Sequence, residues 1–270
     1  MSSNQNSPDN YIDTGGPVGG HLDVSGLAFD YEGVTILSGV DLSIARGEFV
    51  GLVGPSGCGK STLLNLIAGV LSPAAGQIRV SGVSESSSRL GQVSHMQQKD
   101  LLLPWRTVAS NGQLGLEVQG AEPRETATKI YHLARSFGIS DVLDSMPWQL
   151  SGGMRQRASL LRAVLPDNRV LLLDEPFGAL DAITRGSLQQ WLLNVLDRSD
   201  KAVLLVTHDV EEAILLSDRV LVMAPNPGRV VAEIKVALRG PRNSEACTSA
   251  EFVELKKQIL KLLSYEQALA

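Results

Sequence analysis

The sequence predicts an α/β protein with a largely parallel sheet at its core, a small antiparallel β subdomain ahead of it and a helical subdomain inserted into it. Three observations carry that prediction. A strand, a glycine-rich loop and a helix follow one another from Glu48 to Gly69; an apolar strand at Val170–Leu173 ends in the paired carboxylates Asp174 and Glu175; and residues 99–165 between them turn helical in pattern.

At 270 residues and 43% hydrophobic, the chain can bury a full core as one large domain or as a domain with an inserted lobe. Its net charge of −5 argues against broad nucleic-acid binding and against electrostatic adhesion to anionic lipid. The two cysteines, Cys58 and Cys247, make neither a disulfide framework nor a zinc site, and a reducing cytoplasm fits them. No apolar run approaches the ~20 residues of a membrane span. Met1 to Gly20 lacks the basic start and apolar centre of a signal peptide, and its Ser, Asn, Asp, Gly and Pro predict a disordered tail.

In chain order, His21–Phe29 and Val40–Ile44 alternate as half-buried strands, with turn residues Asp30 to Gly33 between them. Tyr31 in that turn is placed either to stack on an adenine ring or to pack the strand end. Glu48–Val53 is an apolar run suited to a buried strand, and Ser61–Ala68 is apolar at helical spacing. Between them stands Gly54-Pro55-Ser56-Gly57-Cys58-Gly59-Lys60-Ser61-Thr62, in the strand–loop–helix setting that a phosphate-binding loop requires. The glycines let backbone N–H groups and the positive end of the helix surround a phosphate chain. Lys60 is then expected to reach the β- and γ-phosphates of a nucleotide, and Ser61 to ligate Mg²⁺. Cys58 is expected to be open to thiol reagents unless nucleotide covers it. Taken alone, the loop does not distinguish a kinase, a GTPase, a helicase or a transport ATPase.

Gln77–Val83 reads as a strand, Ser84–Ser88 as a serine-rich loop, and Gly91–Gln98 as an extended segment ending in glutamines. Asp100-Leu101-Leu102-Leu103-Pro104-Trp105 is expected to form an exposed elbow, and Thr126–Phe137 a helix with Ile130, Leu133, Ala134 and Phe137 inward. Arg169–Glu175 describes a central parallel strand whose carboxyl end meets the site, where open α/β sheets bind ligands. There Asp174 would hold Mg²⁺ and Glu175 would orient the attacking water and help deprotonate it. Thr184–Leu196 is read as an amphipathic helix. Lys201–Val206 is a buried strand that delivers His208 to the same edge, as a donor that senses a γ-phosphate. Short strands at Val220–Met223 and Val230–Val231 and a helix at Ala250–Leu263 complete the chain.

Leu150-Ser151-Gly152-Gly153-Met154-Arg155-Gln156-Arg157 opens another helix whose N-terminus is suited to an anion. A helical lobe separates it from the first loop, so the economical arrangement is two copies meeting head to tail, each completing the other's site.

With these motifs in this order, the chain resembles the ATP-binding subunit of an ABC transporter from about His21 to Val231. The resemblance implies a P-loop ATPase cassette with a RecA-like core spanning 21–240, a helical subdomain at about 99–165, and a linker and helix at 241–270 after the core. It implies that Gln98, with Gln97 as competitor, touches Mg²⁺ and the transmembrane partner. It also implies that Ser151, Gly152, Gly153 and Gln156 contact nucleotide bound to the opposite chain, and that Asp181 of Gly178-Ala179-Leu180-Asp181 communicates across the dimer. Glu175, His208, Lys60 and Gln98 then form the catalytic set. Leu102–Val108, Gly115–Val118 and Leu150–Arg157 are further similar to subunits importing nitrate, sulfonates, taurine or pyrimidine precursors of thiamine, although Gln97 and Gly112 depart from the common pattern. The implied partners are a second copy, an integral-membrane permease docking near Gln98–Trp105 on exposed Leu101, Leu102, Leu103 and Trp105, and, indirectly, an extracytoplasmic solute-binding protein. The implied location is the cytoplasmic face of the membrane. The runner-up is a non-transport ABC ATPase of DNA repair or ribosomes, disfavoured because no long coiled coil or second cassette separates the motifs.

Overall fold

The computed structural model describes residues 21–269 apart from 122, 197–198, 239–241 and 244. The expected tail at 1–20 and the 240/241 boundary lie outside the described residues. A six-stranded sheet forms the core in the order β5-β6-β7-β3-β8-β9, with β3 Phe49–Val53, β5 Val93–Met96, β6 Val170–Asp174, β7 Ala202–Val206, β8 Arg219–Ala224 and β9 Arg229–Lys235. All neighbouring pairs are parallel except β8–β9. Strands β3, β6 and β7 are buried at every position, which is why they read as unbroken apolar runs. The antiparallel subdomain has the order β2-β1-β4, from β1 Leu22–Tyr31, β2 Val34–Ile44 and β4 Ala75–Val80.

Side-chain alternation along the central strands divides the core into two layers. Leu171, Leu173, Val203 and Leu205 face the inserted helices α3 Val108–Val118, α4 Pro123–Ser136 and α5 Gly152–Val164, together with α6 Ala182–Leu196. Val170, Leu172, Leu204 and Val206 face α1 Lys60–Ile67 and the antiparallel sheet. A third cluster packs α7 Val210–Leu216 and α8 Ala250–Leu269 against Val220, Val222 and Ile234.

Two local readings differ from the structure. Strand β2 begins at Val34 rather than Val40, because register shifts in its pairing with β1 break the period-two pattern that marks a strand. Part of the expected loop at Ser84–Ser88 is a short helix, α2 Ser86–Arg89. The fully buried Arg89 guanidinium donates to Leu66 O at 2.9 Å and Ile78 O at 3.2 Å, and also to Ser84 O. It thereby adds a second donor to the Leu66 carbonyl in the last turn of α1, which also accepts the Gly69 N–H at 3.1 Å.

Candidate functional site

The parallel register brings the carboxyl ends of β5, β6, β7 and β3 side by side: Met96 pairs with Leu173, Asp174 with Val206, and Leu52 with Val206. Residues just beyond these ends therefore share one edge, where Gln98, Asp174, Glu175, His208 and the 54–62 loop meet.

The loop closes on itself through Lys60. Its buried Nζ donates to Gly54 O at 2.8 Å and Pro55 O at 2.9 Å, and lies 3.8 Å from Cys58 Sγ. Gly59, at φ 95°, is the N-cap of α1, and a Cβ there would stand 2.6 Å from Leu37 Cδ2. A Cβ on Gly54 would meet Met223 O at 2.7 Å, so the loop is pressed against β8. Ser56, Gly57 and Ser61 are exposed, and Pro55, Gly59 and Thr62 half-buried. The expectation of an open Cys58 thiol is corrected: the side chain is 1% exposed, because it points into the core cluster beneath the loop. Burial pushes its thiol up, with Lys60 opposing.

Asp174 ends the fully buried strand β6 and is hydrogen-bonded to Ser61. Burial raises its carboxyl above the usual range; the Ser61 bond and the Lys60 charge oppose that rise, and the Glu175 charge adds to it. Glu175 follows in the left-handed region at φ 49°, an uncommon conformation for a side-chain-bearing residue and one found at functional sites. The conformation is held from several sides. The Glu175 N–H donates to Val206 O at 2.8 Å, and Gln156 Nε2 donates to Glu175 O at 3.1 Å and Pro176 O at 3.0 Å. The turn directs the carboxylate at two partners: Gln98 Nε2 at 3.2 Å from Oε2, and His208 Nδ1 at 3.1 Å from Oε1. Gln98, and not Gln97, makes this contact with Glu175.

Gln156 is thus corrected. The expectation places it on nucleotide held by a second copy, whereas its buried amide turns inward and bonds its own chain's Glu175–Pro176 turn. Ser151 and Gly152 are exposed at the start of α5, where Ser151 Oγ accepts the Met154 N–H at 3.3 Å as the N-cap. Asp181 is exposed and accepts the Thr184 N–H at 3.0 Å, capping α6. Tyr31 is exposed at the end of β1.

The elbow divides. Trp105 is 70% and Leu101 49% exposed, but Leu102 is 7% exposed and belongs to the core; this removes it from the expected docking face. Two polar anchors that sequence reasoning missed shape this segment. Asn111 is fully buried, accepts the Leu103 N–H at 2.8 Å and donates to the carbonyls of Leu103, Arg106 and Thr107 at 2.9–3.1 Å. From α5, Arg155 bonds Asp100 Oδ2 at 3.1 Å, while Ser159 and Arg162 hold Asp100 O at 3.1 and 2.7 Å. The spacing 155, 159, 162 marks one helical face and is the signal that reveals this clamp.

The oxygen donors Ser61, Gln98 and Asp174, beside a phosphate cradle, suit Mg²⁺, which favours hard oxygen ligands and retains water and substrate oxygens. Among the described residues no cluster of three or more His, Cys, Asp or Glu forms an all-protein metal cage. No helix of the described residues is long and apolar enough to cross a membrane.

Residues 37–178 match the ABC transporter family. The chain is 42% identical over 247 residues to a taurine import ATP-binding protein of Yersinia pestis bv. Antiqua (strain Antiqua), covering 88% of this chain and 95% of that one. Among solved structures, the dimeric bacterial ABC transporter cassette MJ0796 superposes with a TM-score of 0.74 at 28% identity, covering 81% of this chain and 99% of that one. Its dimeric post-hydrolysis state bound to ADP and Pi superposes with a TM-score of 0.71 at 29% identity, over the same shares of the two chains.

Proposed function

The chain belongs to the ABC transporter family as an ATP-binding, ATP-hydrolysing subunit of an importer, and we propose that it works as one half of a head-to-tail pair seated on a membrane permease. The observation that carries the catalytic part of the proposal is the convergence on Glu175. A single carboxylate, held by a strained turn, meets Gln98 and His208 at the mouth of a phosphate-binding loop.

Backbone N–H groups of 54–62 and Lys60 hold the phosphates of ATP, Tyr31 stacks on the adenine, and Ser61, Asp174 and Gln98 hold Mg²⁺. When bound, the ion neutralises charge on the phosphate oxygens. Glu175 orients a water for in-line attack on the γ-phosphorus and accepts its proton as the bond to the ADP oxygen breaks. Gln98 and His208 fix the carboxylate, and His208 also senses the γ-phosphate. Ser151, Gly152 and Gly153 of the partner complete the site. ATP therefore binds the closed pair more tightly than the open one, and that difference drives closure. The helical subdomain moves with it and carries a permease helix seated near Gln98, Leu101 and Trp105. The taurine-import relative supports a small sulfonate-type solute within the expected group. We further propose that an extracytoplasmic binding protein delivers this solute to the permease. The same relative supports residence at the cytoplasmic membrane face. No observation favours the repair or ribosomal alternative.

The test is Glu175→Gln. It should bind ATP normally and lose about 10²–10⁴-fold in turnover, the usual range for a positioned acid–base group. Turnover within about threefold of the parent chain, far below that range, removes Glu175 from this role.

A further inference from the structure

The turn that delivers His208 is tied to a buried carboxyl that the reaction above leaves unused. Glu212 on α7 is 7% exposed, and its Oε2 accepts a hydrogen bond from Thr207 Oγ1 at 2.7 Å. Thr207 Oγ1 in turn accepts the Asp209 N–H at 3.0 Å. Thr207 and Asp209 flank His208, so both shoulders of the histidine hang from one carboxyl.

On the far side stands Arg185 of α6. Its Nη2 donates to Leu180 O at 3.1 Å, and its Nη1 lies 3.7 Å from Asp209 Oδ2. Two atoms here, Glu212 Oε1 and Arg185 Nε, are buried without a hydrogen-bond partner among the described residues. The Arg185 charge nonetheless acts on the Glu212 carboxyl. Leu180 immediately precedes Asp181, so the chain of contacts runs from the His208 turn to the turn that caps α6.

We propose that Thr207, Glu212 and Arg185 form a brace that positions His208 and links its turn to the Leu180–Asp181 turn. The proposal rests on the reading of His208 given above and names the residues that act through it. None of the three touches the reacting atoms, so all are positioning residues.

The brace depends on charge. An ionised carboxylate is a stronger acceptor for the Thr207 hydroxyl than its acid form. Burial pushes the Glu212 carboxyl up to about 7; the Thr207 bond opposes this, Asp209 adds to it, and Arg185 and His208 oppose it. The other charged and titratable groups near α7 act elsewhere: Lys256 of α8 pairs with Glu211, Arg242 donates to Leu216 O and pairs with Asp218, and Cys247 is influenced chiefly by its own burial and by Glu211. The brace therefore tightens as pH rises through about 7.

The experiment compares full-length Glu212→Gln, Thr207→Val and the conservative Thr207→Ser with the parent chain. It reads the His208 ring resonances in histidine-labelled protein at one fixed pH, and ATP turnover from pH 5.5 to 8.5. Glu212→Gln and Thr207→Val should shift the His208 resonances and lower kcat about tenfold with KM for ATP unchanged. Thr207→Ser should restore both, as a general loss of folding would not. The rise in kcat near pH 7 should vanish in Glu212→Gln, and neither variant should lower turnover further on a His208→Ala background. Unmoved His208 resonances together with an unchanged pH profile overturn the brace. Shifted resonances with full turnover in His208→Ala leave the brace standing and remove the catalytic reading of His208 instead.

Discussion

Replacing Glu212 by Gln should change how stability depends on pH by an amount that follows from the structure. The wild-type carboxyl, ordinarily at 4.5, is raised to about 7 by burial. The folded state therefore binds this proton more tightly than the unfolded state, and the group's stabilising contribution, full below 4.5, is lost as pH rises towards 7. At about 1.4 kcal/mol per pH unit, the loss amounts to roughly 3 kcal/mol over the whole range, and about 2 kcal/mol of it falls between pH 5.5 and 8. His95 acts in the opposite sense: burial lowers its ring to about 4, so unfolding takes up a proton between about 4 and 6.5, and stability rises with pH there. The two effects largely offset each other in the parent chain, and Glu212→Gln exposes the His95 slope. Urea unfolding of both proteins at pH 5.5 and 8 measures this. The variant should gain about 2 kcal/mol relative to the parent between those pH values. A difference constant to within roughly 0.5 kcal/mol would show that Glu212 titrates as an ordinary exposed carboxyl and refute the linkage argument.

Two further outcomes follow from the geometry. Gly54→Ala places a methyl 2.7 Å from the backbone oxygen of Met223 and 2.9 Å from Cys58 Sγ, so the loop must shift; nucleotide titration should show ATP affinity falling at least about tenfold, equivalent to about 1.4 kcal/mol. Trp105→Ala removes an exposed ring from the elbow while Asn111 still anchors its backbone, so uptake in a reconstituted transporter should fall with the isolated chain's ATP turnover unchanged; a parallel loss of thermal stability would show that Trp105 packs within the fold.

The convergence of the candidate site was legible because its residue types carry their own reasons. Glycines at 54, 57 and 59, carboxylates after an apolar strand, and a histidine after another can be read without coordinates, and the parallel register brings them to one edge. What escaped was the orientation of individual side chains. Gln156 belongs to a motif whose exposed start suggests contact with a partner, yet it lies one turn further along α5 on the buried face. Cys58 stands inside an open loop and points into the core, and Leu102 sits in an apolar run whose neighbours alternate between solvent and core. Asn111, Arg89 and Glu212 were invisible for a related reason. Arg89 ties backbone groups brought together by tertiary packing, whereas Asn111 and Glu212 bond groups four to eight residues away along the chain; in neither case does a periodic pattern announce a buried polar anchor.

On the proposed function, the 54–62 loop is half of a site completed by residues 151–153 of a second copy. The most direct measurement is sedimentation of the full-length Glu175→Gln chain with ATP, with and without an added Gly153→Asp substitution, alongside nucleotide titration of each. Both proteins should bind ATP, while only the chain with Gly153 intact should sediment as a dimer and return to a monomer when ATP is replaced by ADP. Dimers that form equally well with Gly153→Asp, or without nucleotide, would contradict the claim.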